Sequence, residues 1–153
     1  INVTATDGTG LTDSATLSLR INTPPTAPTV LLSPNPAYST DTLTAAVSNS
    51  VDAEGDAINY TYEWYKNSTL TGLTGLSVMA SELDVGETWT LRVTPNDGYI
   101  NGNIGEDTIT VENAVPVITS VTITPISSVY NDTLLTCLAT ASDADELVTP
   151  TIE

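Results

Sequence analysis

Asp52, Glu54 and Asp56 alternate with small residues in "SVDAEGDAINYTYEW" (50–64), and Asp143, Asp145 and Glu146 recur in "ASDADEL" (141–147). Several carboxylates gathered with backbone carbonyls make the all-oxygen shell that a hard cation such as Ca2+ takes. The plainer reading is turn chemistry, because Asp and Gly close turns on their own backbone. Other chemistries lack their parts. The chain has no His and a single Cys, Cys137, so nucleophilic triads, Cys–His pairs and zinc sites are not expected. Cys137 reads most simply as a small strand residue. Paired carboxylates suffice for glycoside hydrolysis, but these acids sit in loops that recur along the chain, and an active site is rarely duplicated in that way. No Gly-rich phosphate loop and no basic pocket accompanies them. The expectation is a protein that is not an enzyme.

Nineteen acids face three bases, Arg20, Lys66 and Arg92, for a net charge of −16 over 153 residues. Such a chain repels nucleic acid and anionic lipid. Hydrophobic residues make up 40%, enough for a packed core. No run of 18 apolar residues is present, so no direct membrane insertion is expected in this segment. The Thr-rich, Lys-poor balance points to an extracellular or cell-surface location.

The elements that must carry the acids read as strands. Alternation with a period of two places Leu43, Ala45 and Val47 on one side of their segment. It does the same for Ile58, Tyr60, Tyr62 and Trp64, for Leu76, Val78 and Ala80, for Trp89, Leu91 and Val93, and for Ile109 and Val111. With "TVLL" (29–32) first, six or seven short strands fall within about 90 residues, the spacing of an antiparallel β-sandwich. Trp64 and Trp89 share the parity of the aliphatic residues and read as core.

The chain also resembles itself. Pro34 falls on Pro125 and "DTL" (41–43) on "DTL" (132–134), 91 positions on, and Asp52 and Glu54 fall on Asp143 and Asp145. "VTATDG" (3–8) falls on "VTPNDG" (93–98), and "NTPP" (22–25) on "NAVP" (113–116). This predicts tandem repeats with a period of about 91 residues. Residues 1–22 would be the last two strands of a preceding repeat, 23–113 a complete repeat, and 114–153 the first strands of a following, truncated one. On this reading the natural polypeptide is longer at both ends.

The run Asp52, Glu54, Gly55, Asp56, Tyr60, Tyr62, Trp64, followed by Gly86, Trp89, Val93, Asp97 and Gly98, resembles the immunoglobulin-like, PKD-like and cadherin-like repeats of large prokaryotic surface proteins. The resemblance spans the whole chain as one unit and two partial ones. It implies an all-β fold of tandem antiparallel immunoglobulin-like β-sandwich repeats, with Trp64 on the third strand. It is specific for architecture and weak for function, since such sandwiches host many roles. The linkers "NTPP" and "NAVP" lack the acids of a cadherin calcium linker.

In a sandwich of this topology the loop of Asp52, Glu54 and Asp56 lies at the same end as Asp97 and the entering linker, 22–26. Asp143, Asp145 and Glu146 would gather near 113–117. Those seven acids are the candidate Ca2+ ligands, and Ca2+ is the only cofactor expected. Sequons at Asn2, Asn59, Asn67 and Asn131 are candidate glycosylation sites, with Asn67 in "KNST" the best placed. Since a chain with 11 Asn of this composition holds about three sequons by chance, their number carries no weight. Tyr65 and Tyr99 are the candidate exposed aromatics for binding, Tyr99 within the long loop "PNDGYINGNIGED" (95–107).

The expected function is a structural repeat forming a semi-rigid stalk or fibre, partnered by neighbouring repeats or copies of the same protein. The alternative is an adhesion module for cell-surface glycans or proteins. A filament subunit polymerising by strand exchange is a third reading. The two end pieces together lack the counterparts of 63–90, which argues against simple complementation.

Overall fold

A computed structural model describes residues 1–146 and 151; the remaining residues of the 114–153 unit lie outside the described set. The chain is all-β. Twelve strands run β1 (Asn2–Thr6), β2 (Thr12–Thr16), β3 (Thr29–Ser33), β4 (Ala37–Tyr38), β5 (Leu43–Ser48), β6 (Asn59–Lys66), β7 (Thr69–Leu70), β8 (Ser77–Val78), β9 (Thr88–Asn96), β10 (Gly105–Glu112), β11 (Val117–Thr124) and β12 (Thr136–Ser142) among the described residues. One short 3-10 turn, Ala80–Glu82, interrupts them.

The middle of the chain forms two facing sheets. One has the order β4-β10-β9-β6-β7, and the other β3-β5-β8. All pairs are antiparallel except β4 on β10, which is parallel. Val30, Leu32, Leu43 and Val78 from the smaller sheet close one core with Trp64, Trp89, Leu91, Val93, Ile109 and Val111 from the larger. This is a β-sandwich-like arrangement. The alternation that predicts it is visible in β9, where Trp89, Leu91 and Val93 are buried and Arg92 is exposed.

Trp64 and Trp89 are fully buried and meet edge to face, with ring centroids 6.3 Å apart. Trp64 donates its indole N–H to the Gly75 carbonyl at 2.8 Å, so its one polar atom is satisfied within the core.

Two elements differ from the sequence reading. "LSVMAS" is not a continuous strand: only Ser77–Val78 pairs, the 3-10 turn follows, and Leu76 is 44% exposed. The long loop 95–107 is shorter than its composition suggests. β9 runs to Asn96 and β10 begins at Gly105, while Gly102 N–H donates to the Pro95 carbonyl at 2.8 Å. Its glycines have a packing cause. A Cβ on Gly102 or Gly105 would collide with the carbonyl of Pro25 or Pro28, because the entering segment lies directly on the start of β10.

The flanking pieces are hairpins. β1 pairs with β2 (Val3↔Ala15) and β11 with β12 (Val121↔Ala139), the latter with a bulge between Ile118 and Ser120. Val3, Leu17, Val121 and Ile123 on them are half or more exposed.

Trp64→Ala is expected to lower unfolding free energy by roughly 3–5 kcal/mol, read by urea denaturation followed at Trp89. Gly105→Ala is expected to cost roughly 1–3 kcal/mol through overpacking, in the same assay.

Candidate functional site

The acids of the first cluster meet the entering chain. Thr23 donates its backbone N–H and its hydroxyl to Glu54 Oε2, at 3.1 and 2.7 Å. Asn22 Nδ2 donates to Asp97 Oδ2 at 2.7 Å. Thr26 is stitched to the same loop: its N–H donates to the Val51 carbonyl at 2.9 Å, and its hydroxyl accepts the Val51 N–H at 2.8 Å. Asp56 forms an ion pair with Arg20. Asp52, Glu54, Asp56 and Asp97 therefore lie at one joint with residues 20–26.

Asp52 organises the loop from inside. It is only 8% exposed, and its Oδ1 accepts the N–H groups of Glu54 and Asp56 at 3.0 and 2.9 Å. Asp97 does the same for its own turn, accepting from Tyr99 and Ile100 N–H, both at 2.8 Å. Much of the acid cluster is thus the turn chemistry of the plainer reading.

A second joint is built from the second cluster. Asp145 accepts the Ala114 N–H and the Ser39 hydroxyl, the latter at 2.7 Å, and its own N–H donates to Asp143 Oδ1 at 3.0 Å. Asp145 and Glu146 line a polar cleft of about 380 Å3 with Ser39, Asp84 and Asn113.

The donors set the charge state of these acids. The Thr23 hydroxyl, then its N–H, hold the Glu54 carboxyl below the ordinary carboxylate range. The Ala114 N–H and the Ser39 hydroxyl do so for Asp145. Burial pushes Asp97 up, but the Ile100 N–H, the Asn22 amide and the Tyr99 N–H outweigh it, and its pKa is lowered.

The two candidate binding aromatics each lie against an arginine. The Arg20 guanidinium sits 4.6 Å from the Tyr99 ring centre and donates to its hydroxyl at 3.1 Å. Arg92 sits 4.9 Å from the Tyr65 ring, and Tyr65 is half-buried. One face of each ring is therefore occupied by a cation–π contact. Asn2, Asn59 and Asn131 are exposed, whereas Asn67 is exposed but uses its Oδ1 to accept the Thr88 N–H at 2.9 Å. Among the described residues no group of three or more acid, His or Cys side chains is arranged to hold a metal ion.

Sequence reasoning placed the linker 22–26, and with it Thr23, at this end of the sandwich, but it missed Arg20 and Ser39 as parts of the joints. Arg20 stands alone between two hydrophobic residues, and nothing in its neighbourhood marks its partners. Thr23 lies within "NTPP", whose recurrence as "NAVP" marks the site without revealing its bonds. No family model matches the chain, and neither does a curated protein or a solved structure.

The lowered acids give the joints a pH dependence of known sign. A carboxylate whose pKa falls on folding contributes stability above its unfolded value, about 4, and that contribution is lost as pH falls through the folded value. The Thr23 and Ala114 amides are expected to be protected from hydrogen exchange at neutral pH and to lose protection below about pH 4, while β6 and β9 amides stay protected. NMR-detected exchange, corrected for intrinsic rates, reads this directly.

Proposed function

We propose that the chain is a run of tandem immunoglobulin-like β-sandwich repeats, and that it serves as a semi-rigid, non-enzymatic stalk or fibre of an extracellular surface protein. The observation that carries this reading is the recurrence of the joint. Thr23 donates to Glu54, and 91 positions on Ala114 donates to Asp145. Asp52 and Asp143 each hold the N–H two residues ahead, at 3.0 Å.

The hairpins support it as well. β1–β2 has Val3 opposite Ala15, and β9–β10 has Val93 opposite Gly105, the same register 90 positions on. Asp7 Oδ1 accepts the Thr9 N–H as Asp97 Oδ1 accepts that of Tyr99, 90 positions on, both at 2.8 Å. The exposed Val3, Val121 and Ile123 correspond to Val93, Val30 and Leu32, which are buried. Sheets of further repeats would cover them.

A stalk needs joints that resist bending. Pro24, Pro25 and Pro28 restrict the backbone of the first joint, and the Thr23 and Thr26 bonds fix it to the sandwich it enters. Each repeat then contacts only its neighbours, as in other linear arrays.

Polypeptides carrying residues 23–113 in two, three and four successive copies should scatter X-rays as rods whose maximum dimension rises by one constant step per copy. Compact particles, or a dimension rising only as a flexible chain's does, would sink the stalk reading.

A further inference from the structure

Asn101–Gly102 is the one Asn–Gly pair among the 11 Asn of the chain. In such a pair the glycine has no Cβ to shield its amide nitrogen, so that nitrogen can reach the asparagine Cγ and displace ammonia. Both partners of this reaction are constrained here. Asn96 Nδ2 donates to Asn101 Oδ1 at 2.6 Å, and Asn96 Oδ1 accepts the Gly98 N–H at 2.7 Å, which fixes the direction of the Asn96 amide. A donor on Asn101 Oδ1 draws electrons from Cγ and makes it the better electrophile. The nucleophile is held back. The Gly102 N–H donates to the Pro95 carbonyl at 2.8 Å, and Asn96 and Asn101 face each other as an antiparallel bridge.

Gly102 is also seated beneath the joint. A Cβ there would collide with the Pro25 carbonyl and crowd the Pro95 ring, so the residue has little room to turn its nitrogen toward Cγ. Pro25 is fully buried. Its neighbours hold it down, Thr23 through Glu54 and Thr26 through the backbone of Val51. The entering segment thus covers the glycine of the reactive pair.

We propose that Asn101 is a site of spontaneous deamidation gated by the first joint. The seated joint blocks the reaction, the open joint permits it, and the product keeps the joint open. The Gly102 nitrogen bonds to Asn101 Cγ, the Cγ–Nδ2 bond breaks, and the Gly102 amide proton leaves with the NH2 group as ammonia. Water then opens the five-membered imide at either carbonyl. One product is aspartate. The other is isoaspartate, in which the main chain runs through Cβ and gains one backbone atom before Gly102. That atom displaces Gly102 from the Pro95 carbonyl and from its seat under Pro25. Both products add a negative charge opposite Asn96, next to Asp97. A reversible local opening is thereby made permanent. The inference rests on the first joint as the structure shows it and not on the stalk reading.

The test follows position 101 by peptide mapping with mass spectrometry, during incubation at mildly alkaline pH. Three samples are compared: the full chain, a peptide of residues 95–107 as the unfolded reference, and the double variant Glu54→Ala/Thr26→Val. The variant removes the acceptors for the Thr23 N–H, the Thr23 hydroxyl and the Val51 N–H and touches no core residue. Protected β6 and β9 amides show that its sandwich is folded. The native chain is expected to deamidate at least about tenfold more slowly than the peptide, because the rate follows the open fraction. The variant is expected to react at least about threefold faster than the native chain, for the same reason. The isoaspartate form, made by ageing the chain in urea and refolding it, is expected to have lost exchange protection at the Thr26 amide while keeping it in β6 and β9. Three results overturn the proposal. The native chain reacting as fast as the peptide shows no gate. The variant reacting no faster than the native chain puts the gate outside the joint. A Thr26 amide still protected in the isoaspartate form shows that the product does not hold the joint open. None of these bears on the scattering of the repeated units, on which the stalk reading stands or falls.

Discussion

At each joint the entering backbone gives an N–H to a carboxylate on the loop after β5 or β12: Thr23 to Glu54, Ala114 to Asp145. The rest of the joint depends on this exchange. The segments between strands at 20–26 and 113–116 leave N–H groups that no strand satisfies, and such groups must find partners when covered. An ionised acceptor gives a shorter and stronger bond than a neutral carbonyl. It also constrains the loop behind it. Glu54 can present its carboxylate only because Asp52 pins the loop from inside, through the N–H groups of Glu54 and Asp56.

The same logic accounts for how so acidic a chain folds with three bases. Most of the acids that matter here are stabilised in their charged form by N–H and hydroxyl donors. The bases are reserved as pins. Arg20 joins Asp56 and Tyr99, Lys66 joins Glu87 (2.6 Å) and lies over Trp89, and Arg92 joins Glu106 (2.9 Å) and lies over Tyr65. Each base thus engages an aromatic ring and at least one carboxylate, Lys66 lying 3.8 Å from Asp84 as well. Glu87 shows the two modes together. Burial pushes its pKa up, but Lys66, the Asp84 N–H and the Trp89 indole prevail and lower it. It is the counterpart, beneath Trp89, of the acids at the joints.

The long strands were legible because their faces differ. In β9 buried Trp89, Leu91, Val93 and Pro95 alternate with half-buried residues and the exposed Arg92, and a period of two needs no knowledge of the partner. The short pieces were not. β4 and β7 have two residues each, too few to show a period, while β8, read as the longer alternating run "LSVMAS", keeps only Ser77–Val78 as strand. The glycines of 95–107 misled for a related reason. Gly102 and Gly105 suggest a loose loop, but their cause lies in Pro25 and Pro28, some 77 residues away in sequence. The acid clusters were legible as clusters and as turns. Which donor each acid takes was not, because Thr23, Ser39 and Ala114 carry no mark of their partners.

The joints also show why charge density alone would not stiffen such a chain. At physiological ionic strength the Debye length is about 8 Å, so repulsion between exposed carboxylates farther apart than that is largely screened. Within a joint the carboxylates accept backbone N–H bonds at about 3 Å, where bulk screening does little. Local donors therefore decide the geometry there. The first joint has a built-in cation in Arg20. At the second, residue 111, 91 positions beyond Arg20, is Val111, a core residue of β10. Asp145 is held there by a backbone N–H and a serine hydroxyl instead. Two joints that share a backbone contact but differ in counter-charge would differ in stiffness, and on the proposed stalk reading the softer one would set where the array bends.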